Sequence, residues 1–233
     1  MECEFEVASR NGILPLRYSQ LTGGIMKPFI ALLFVLAMIP LPSVAAEPAA
    51  FVEKPVTPEL IRQLRAGGYV LYMRHGNTDT SRPDRVPSVD LNDCSTQRPL
   101  TEEGVRVVMK VGKAIRKANI PLGEIFSSPL CRAKESALAA FGANFVVNNS
   151  LMYTANMTSE EKKPVIEQTR ALLSAPVPAN TNRVLVAHAP NLMDLMGYFP
   201  KPEGTVVIFK PLGDGGFEYL GNIAPQQWQE LVR

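Results

Sequence analysis

From Thr57 onward, short apolar runs alternate with stretches whose apolar residues recur at helical spacing, and this alternation sets the expected architecture. The runs at 69–74, 124–127, 144–147, 183–187, 205–209 and 217–220 predict strands. Two of them, 69–74 and 183–187, are apolar almost throughout, as strands buried on both faces are. Between them, Thr57 caps a helix over 58–66 that stops at Gly67-Gly68. Thr101 caps a second, with Glu102 and Glu103 in its first turn and Val105, Val108, Val111, Ala114 and Ile115 on one face. Ser127-Ser128-Pro129 opens a third helix, which runs to Phe141 and ends at Gly142. Thr158 and Glu161 fit a capping box, although Pro164 moves the expected start of regular helix to about Lys163. A short helix over 190–198 completes the set. Such strand–helix alternation predicts an α/β fold, a three-layer α/β/α sandwich on a mainly parallel sheet.

Three polar connections, 77–99, 148–157 and 176–182, interrupt the pattern. The first is long and carries Pro83, Pro87 and Pro99. A loop of that length inside a compact domain is usually functional.

Composition narrows the class. Of 233 residues, 46 % are hydrophobic and 20 % charged, enough for one sizeable core. A formal charge of +2 without a Lys/Arg block gives no footprint for nucleic acid. The segment from Met26 reads Lys27, an apolar run over 30–39, then Pro40, Pro42 and Ala45-Ala46. This predicts a secretory signal peptide over 26–46, cleaved after Ala46, with translation starting at Met26 and residues 1–25 untranslated or disordered. The apolar run is shorter than the roughly 20 residues a bilayer needs, so no membrane span is expected after cleavage. Residues 47–56 then form a tether and 57–233 the domain. The expected location is the periplasm or the exterior. Export leaves Cys94 and Cys131 as a pair in an oxidising compartment, open to a disulfide or to two separate small apolar side chains.

The chemistry lies at strand ends. There are two histidines, His75 and His188, and each follows an apolar strand. Side chains leaving the carboxyl ends of parallel strands face the crevice where such sheets bind ligands. Arg74-His75-Gly76-Asn77-Thr78, Ser127 to Arg132, and His188-Ala189-Pro190-Asn191 are the segments concerned. A lone histidine there more often serves structure than catalysis. A zinc site lacks a His-x-x-x-His spacing, and Arg74 would repel a cation. A serine hydrolase lacks the Gly-x-Ser-x-Gly elbow. An anion site fits best: guanidinium groups hold phosphoryl oxygens bidentately, and a neutral imidazole can attack phosphorus. Arg132 at a helix start also suits a bound anion, which that helix end itself attracts.

Arg74-His75-Gly76 after a strand, Ser128-Pro129-x-x-Arg132 before a helix, and His188 after a late strand resemble the histidine phosphatase superfamily, also called phosphoglycerate mutase-like. The resemblance runs in order over about 69–209. It implies that His75 becomes phosphohistidine and that Arg74, Arg132 and His188 complete the phosphate pocket, with Asn77 or Thr78 at its rim. It further implies a small phosphate ester as substrate and neither metal nor cofactor. The exported, cysteine-containing form is similar to periplasmic members. A phosphomonoesterase is the leading expectation; a non-catalytic anion-binding protein and a phosphomutase are the alternatives. No feature points to an oligomeric state. The proton donor departs from the family pattern. Many members carry a Glu after the second Arg motif, but 144–157 contains no acid, and Ala189 stands where another branch has Asp. Glu203 is the favoured donor, with Asp93 or Asp90 as alternatives; Arg82, Arg85 and Tyr153 are further contacts to consider.

Overall fold

The computed structural model describes residues 50–232. The expected leader over 26–46, the residues before it and the first part of the tether lie outside the described residues. Elements follow as α1 (Pro58–Leu64), β1 (Val70–Arg74), α2 (Glu102–Lys117), β2 (Leu122–Ser127), α3 (Cys131–Phe141), β3 (Val146–Val147), α4 (Ser159–Ser174), β4 (Asn182–Ala187), α5 (Ala189–Met196), β5 (Val206–Gly213), β6 (Gly216–Ile223) and α6 (Trp228–Leu231). The six strands form one sheet in the order β3-β2-β4-β1-β5-β6. The first four run parallel, while β5 and β6 are antiparallel.

Alternation along the buried strands divides the core in two. Leu71, Met73, Val184, Val186, Val206 and Ile208 pack against α1, α2, α3 and α6. Their neighbours Val70, Tyr72, Leu185, Ala187, Val207 and Phe209 pack against α4 and α5. The period-2 geometry of a strand requires this split when both faces are covered. The expected three-layer α/β/α sandwich is therefore the observed one.

Several boundaries differ from the sequence pattern for tertiary reasons. Helix α4 starts at Ser159, because the Thr158/Glu161 capping box is formed and Pro164 forfeits only its own N–H bond. The expected strand over 144–147 shrinks to Val146–Val147, and β6 extends to Ile223. Residues 51–55 of the expected tether are held against the domain. Phe51 stacks on Tyr198 at 4.4 Å, Glu53 accepts from the Tyr198 hydroxyl (3.0 Å), and Pro55 bridges Asn222. Helix α6, unmarked in the pattern, buries Trp228. No helix among the described residues is long and apolar enough to cross a membrane.

The order of the sheet places the chemistry. Strand β4 lies between β2 and β1, with Ala187 beside Arg74 and Val186 beside Ser127. The segments after β1, β2 and β4 therefore leave the sheet side by side at one edge.

Candidate active site

The chain after β1 turns sharply under helix α2. A Cβ on Gly76 would collide with the Gly104 carbonyl oxygen, so only glycine permits this approach. The Asn77 carbonyl accepts from the Thr101 amide (2.9 Å) and Thr78 bridges Leu100, so these two residues anchor the turn through their backbones. The Gly76 amide donates to Ser136 Oγ (3.0 Å) on α3. His75 is thereby fixed at the sheet edge, 2 % exposed. Its Nδ1 lies 2.8 Å from the Gly76 carbonyl oxygen. A carbonyl only accepts, so Nδ1 carries the proton and Nε2 keeps its lone pair.

His188 faces it with ring centroids 5.2 Å apart. Tyr72 of β1 locks the His188 backbone, its hydroxyl donating to the His188 carbonyl (2.8 Å) and accepting from the His188 amide (3.1 Å). His188 Nε2 lies 2.7 Å from Ser128 Oγ. With that hydroxyl donating, the imidazole proton sits on Nδ1, which is buried without a partner. Burial first, then the positive charge of Arg132, holds both imidazoles well below their ordinary values, so both are neutral at neutral pH.

Arg132, in the first turn of α3, is fully buried, with Nη1 donating to Asp84 Oδ1 (2.9 Å). Its Nε and Nη2 have no partner. Arg74 donates through Nη1 to the Pro200 carbonyl (2.8 Å) and through Nη2 to Glu203, leaving Nε unpaired. Of eight buried side-chain polar atoms without a partner among the described residues, five belong to Arg74, Arg98, Arg132 and His188. All five are nitrogens. Buried donors left unpaired are costly, so a cluster of them is a site shaped for an oxyanion.

Residues 70–167 match the family model described as histidine phosphatase superfamily (branch 1). The chain carries a histidine phosphatase superfamily domain. No curated protein matches it. Among solved structures it is similar to the protein histidine phosphatase SixA complexed with tungstate, at 15 % identity over 68 % of this chain and 98 % of that one, TM-score 0.48. It is also similar to phosphoserine phosphatase from Entamoeba histolytica in complex with 3-phosphoglyceric acid (15 %, 69 % and 98 %, TM-score 0.47). A third likeness is to alpha-ribazole phosphatase from Shigella flexneri (12 %, 67 % and 96 %, TM-score 0.45).

In this histidine phosphatase domain, His75, His188, Arg74 and Arg132 converge, and loop 77–99 adds two residues that the sequence pattern did not single out. Arg98 leaves its Nε unpaired, and its charge depresses both imidazoles. Asp84 Oδ1 accepts from Arg132 and from the Arg98 amide (2.7 Å). Tyr153 also reaches the site, 5.2 Å from the His188 ring and 4.9 Å from the Arg132 guanidinium. Its loop is pinned to α5 by Asn191 Nδ2 on the Met152 carbonyl (2.7 Å) and by Thr154 on Asp194.

Of the carboxylates considered as proton donors, Glu203 lies beside the site and Asp90 and Asp93 lie in the loop. Glu203 is engaged by Arg74 and lines a cavity with Asn77, Glu103 and Pro225. Asp90 and Asp93 cap turns of the loop, accepting from the Asn92 amide (2.8 Å) and the Ser95 amide (2.9 Å). Arg82 and Arg85 are exposed. Asp84 is the carboxylate in direct contact with Arg132.

The Cys94–Cys131 disulfide, with Cα atoms 5.7 Å apart, ties loop 77–99 to the first turn of α3. Gln97 Oε1 reinforces it by accepting from the Cys131 amide (2.7 Å). Closing a loop of this length contributes about 3–4 kcal/mol. Among the described residues no three His, Cys, Asp or Glu side chains cluster as a metal site requires.

Proposed function

We propose that the domain is a phosphomonoesterase that works through a phosphohistidine on His75. The observation that carries this reading is the fully buried Arg132, with two unpaired N–H donors beside a neutral imidazole whose Nε2 lone pair is free. A phosphoryl group supplies the acceptors that Arg132, Arg74, Arg98 and His188 Nδ1 lack.

His75 Nε2 attacks phosphorus, the P–N bond forms, and the ester P–O bond breaks with its electron pair leaving on oxygen. That oxygen takes a proton from solvent. Water then attacks phosphorus, the P–N bond breaks, its electrons return to Nε2, and the proton of water passes to solvent. The net reaction is ester plus water to alcohol plus inorganic phosphate. Guanidinium and imidazole donors stabilise the equatorial oxygens in both steps, so no metal or cofactor enters the scheme. Asn77 and Thr78 support the turn behind His75.

The test is hydrolysis of p-nitrophenyl phosphate by wild type and His75→Ala. The expected loss is at least about 10³-fold, the scale seen when a nucleophile is removed. Equal rates would assign the site to a non-catalytic anion-binding protein. The bridged cysteines also support an exported protein in the periplasm or outside the cell. Intact mass of the exported chain is expected to begin at Glu47, and a retained apolar segment over 30–39 refutes cleavage.

A further inference from the structure

A second feature adjoins the anion site. Asp84 and Tyr153, which both touch Arg132, form one end of a cavity of about 200 Å³. Its walls are Val89 and Leu91 from loop 77–99, Leu130 before α3, and Met152 and Met157 from loop 148–157. The disulfide lies next to this wall, because Cys131 follows Leu130 and Cys94 lies three residues beyond Leu91. No Lys or Arg lines the cavity. An anionic group placed there would lose water against apolar walls and meet Asp84; the nearby cations are already engaged, Arg132 by Asp84 and Lys134 by the Leu91 carbonyl (3.4 Å). The cleft, which Ser88 and Asn156 also line, has room for one aromatic ring, since about 150 Å³ suffices for benzene.

Leaving-group chemistry points the same way. The acids near the anion site, Asp84 and Glu203, are both engaged by arginines. A leaving oxygen that departs as an anion needs no donor, and a phenol, with a pKa of about 10, meets that condition far better than an alkanol.

We infer that the Val89–Leu130–Met157 cavity is the leaving-group subsite and that the preferred substrates are phosphate esters of uncharged aryl groups. The inference rests on the phosphomonoesterase reading. Burying a ring there is expected to favour its ester by about 30-fold in kcat/KM.

The experiment compares phenyl phosphate with 4-carboxyphenyl phosphate, in wild type and in Val89→Lys. The carboxyl substituent makes the better leaving group, so chemistry alone favours the second ester. Wild type is expected to favour phenyl phosphate by about 30-fold, because the second ester must strip water from a carboxylate beside Asp84. Val89→Lys should erase or invert that preference while inhibition by inorganic phosphate, which needs only the anion site, stays within about twofold. Equal rates in wild type, a preference for the carboxylate ester, or a preference untouched by Val89→Lys would each overturn the subsite. If Val89→Lys does not fold, Met157→Lys carries the same comparison from the other loop. Failure of the underlying reading looks different: His75→Ala would then hydrolyse phenyl phosphate as fast as wild type, and the subsite would fall with it.

Discussion

Two buried arginines sit at opposite ends of the parallel strands of one sheet. Arg183, at the start of β4, spends its donors completely. Nε and Nη2 reach Glu124, Nη1 reaches the Leu172 and Ala175 carbonyls, and Nη2 also reaches Pro176. Beside it, Asn182 donates to the Leu64 and Pro121 carbonyls and accepts from the Tyr69 amide. Arg132, beyond the other end of β2, is buried more deeply, its side chain 0 % exposed against 7 %, yet it makes one side-chain bond and leaves two nitrogens without partners. Burial cannot tell the two apart. Satisfaction of the donors can: a guanidinium that closes its own network holds chain ends together, while one left open among other open donors is waiting for an acceptor.

The sharpest way to break this contrast is to remove each arginine in turn. Arg132→Ala is expected to lower kcat by about 10²–10³-fold, the cost of losing a donor to transition-state charge. It should also abolish the rise in melting temperature that inorganic phosphate gives wild type, a rise equivalent to about 2.7 kcal/mol at 100 times Kd. Arg183→Ala should do the reverse. It strips bonds from three carbonyls and Glu124, costing about 2–4 kcal/mol of stability, while kcat per folded molecule and the phosphate response stay as in wild type. Arg132→Ala should cost less stability than Arg183→Ala, because Asp84 keeps its bond from the Arg98 amide and two unpaired donors disappear. Should Arg132→Ala be the less stable variant and keep its activity, the roles assigned to the two residues are reversed.

The same contrast explains what the sequence disclosed and what it withheld. His75, His188 and Arg74 end apolar strands, and Arg132 opens a helix directly after one, so periodicity alone puts all four at one sheet edge. Their approach to one another needs only the placement of β4 between β1 and β2. Arg98 and Asp84 have no such signal. They lie in a polar loop without period, and their positions depend on contacts distant in sequence: Arg85 N on the Thr96 carbonyl, Gln97 on Cys131, and the disulfide. Three polar residues of similar appearance, Asp84, Asp90 and Asp93, end up as one ligand of Arg132 and two turn caps. Nothing local distinguishes them. Glu203 was singled out for its place at the head of β5, and it does lie at that edge, but bound to Arg74 and facing a different cavity. Among secondary elements, the strands that moved most were those whose length depends on a neighbour: β3 beside β2, and β5 and β6, which lengthen together as a hairpin, β6 also beside residues 54–55.

The smallest expected effect tests the electrostatic half of the contrast, through pH. Burial and then the Arg132 charge depress the His75 pKa. Protonation of Nε2 removes the nucleophile, so a depressed value keeps the free enzyme active as pH falls through 6.5, and the acid limb of kcat/KM lies well below it. The phosphate ester itself takes up a proton near pH 6, which adds a limb of its own. The two are separable because the substrate's limb is the same for every variant. In Arg132→Ala the largest of the charges that disfavour imidazolium is gone, with Arg74 and Arg98 still present, so the enzyme's limb should move to higher pH than in wild type. Stability follows the same sign. With the folded value below the unfolded one, the neutral imidazole's contribution is complete above about pH 6.5 and is lost as pH falls towards the folded value. Arg132→Ala should make that loss smaller, since the largest of the three arginine charges that add to burial is removed while Arg74 and Arg98 remain. An acid limb that stays put in the variant means that Arg132 exerts no field on His75, and the anion site would then have to be assembled from Arg74 and Arg98 instead.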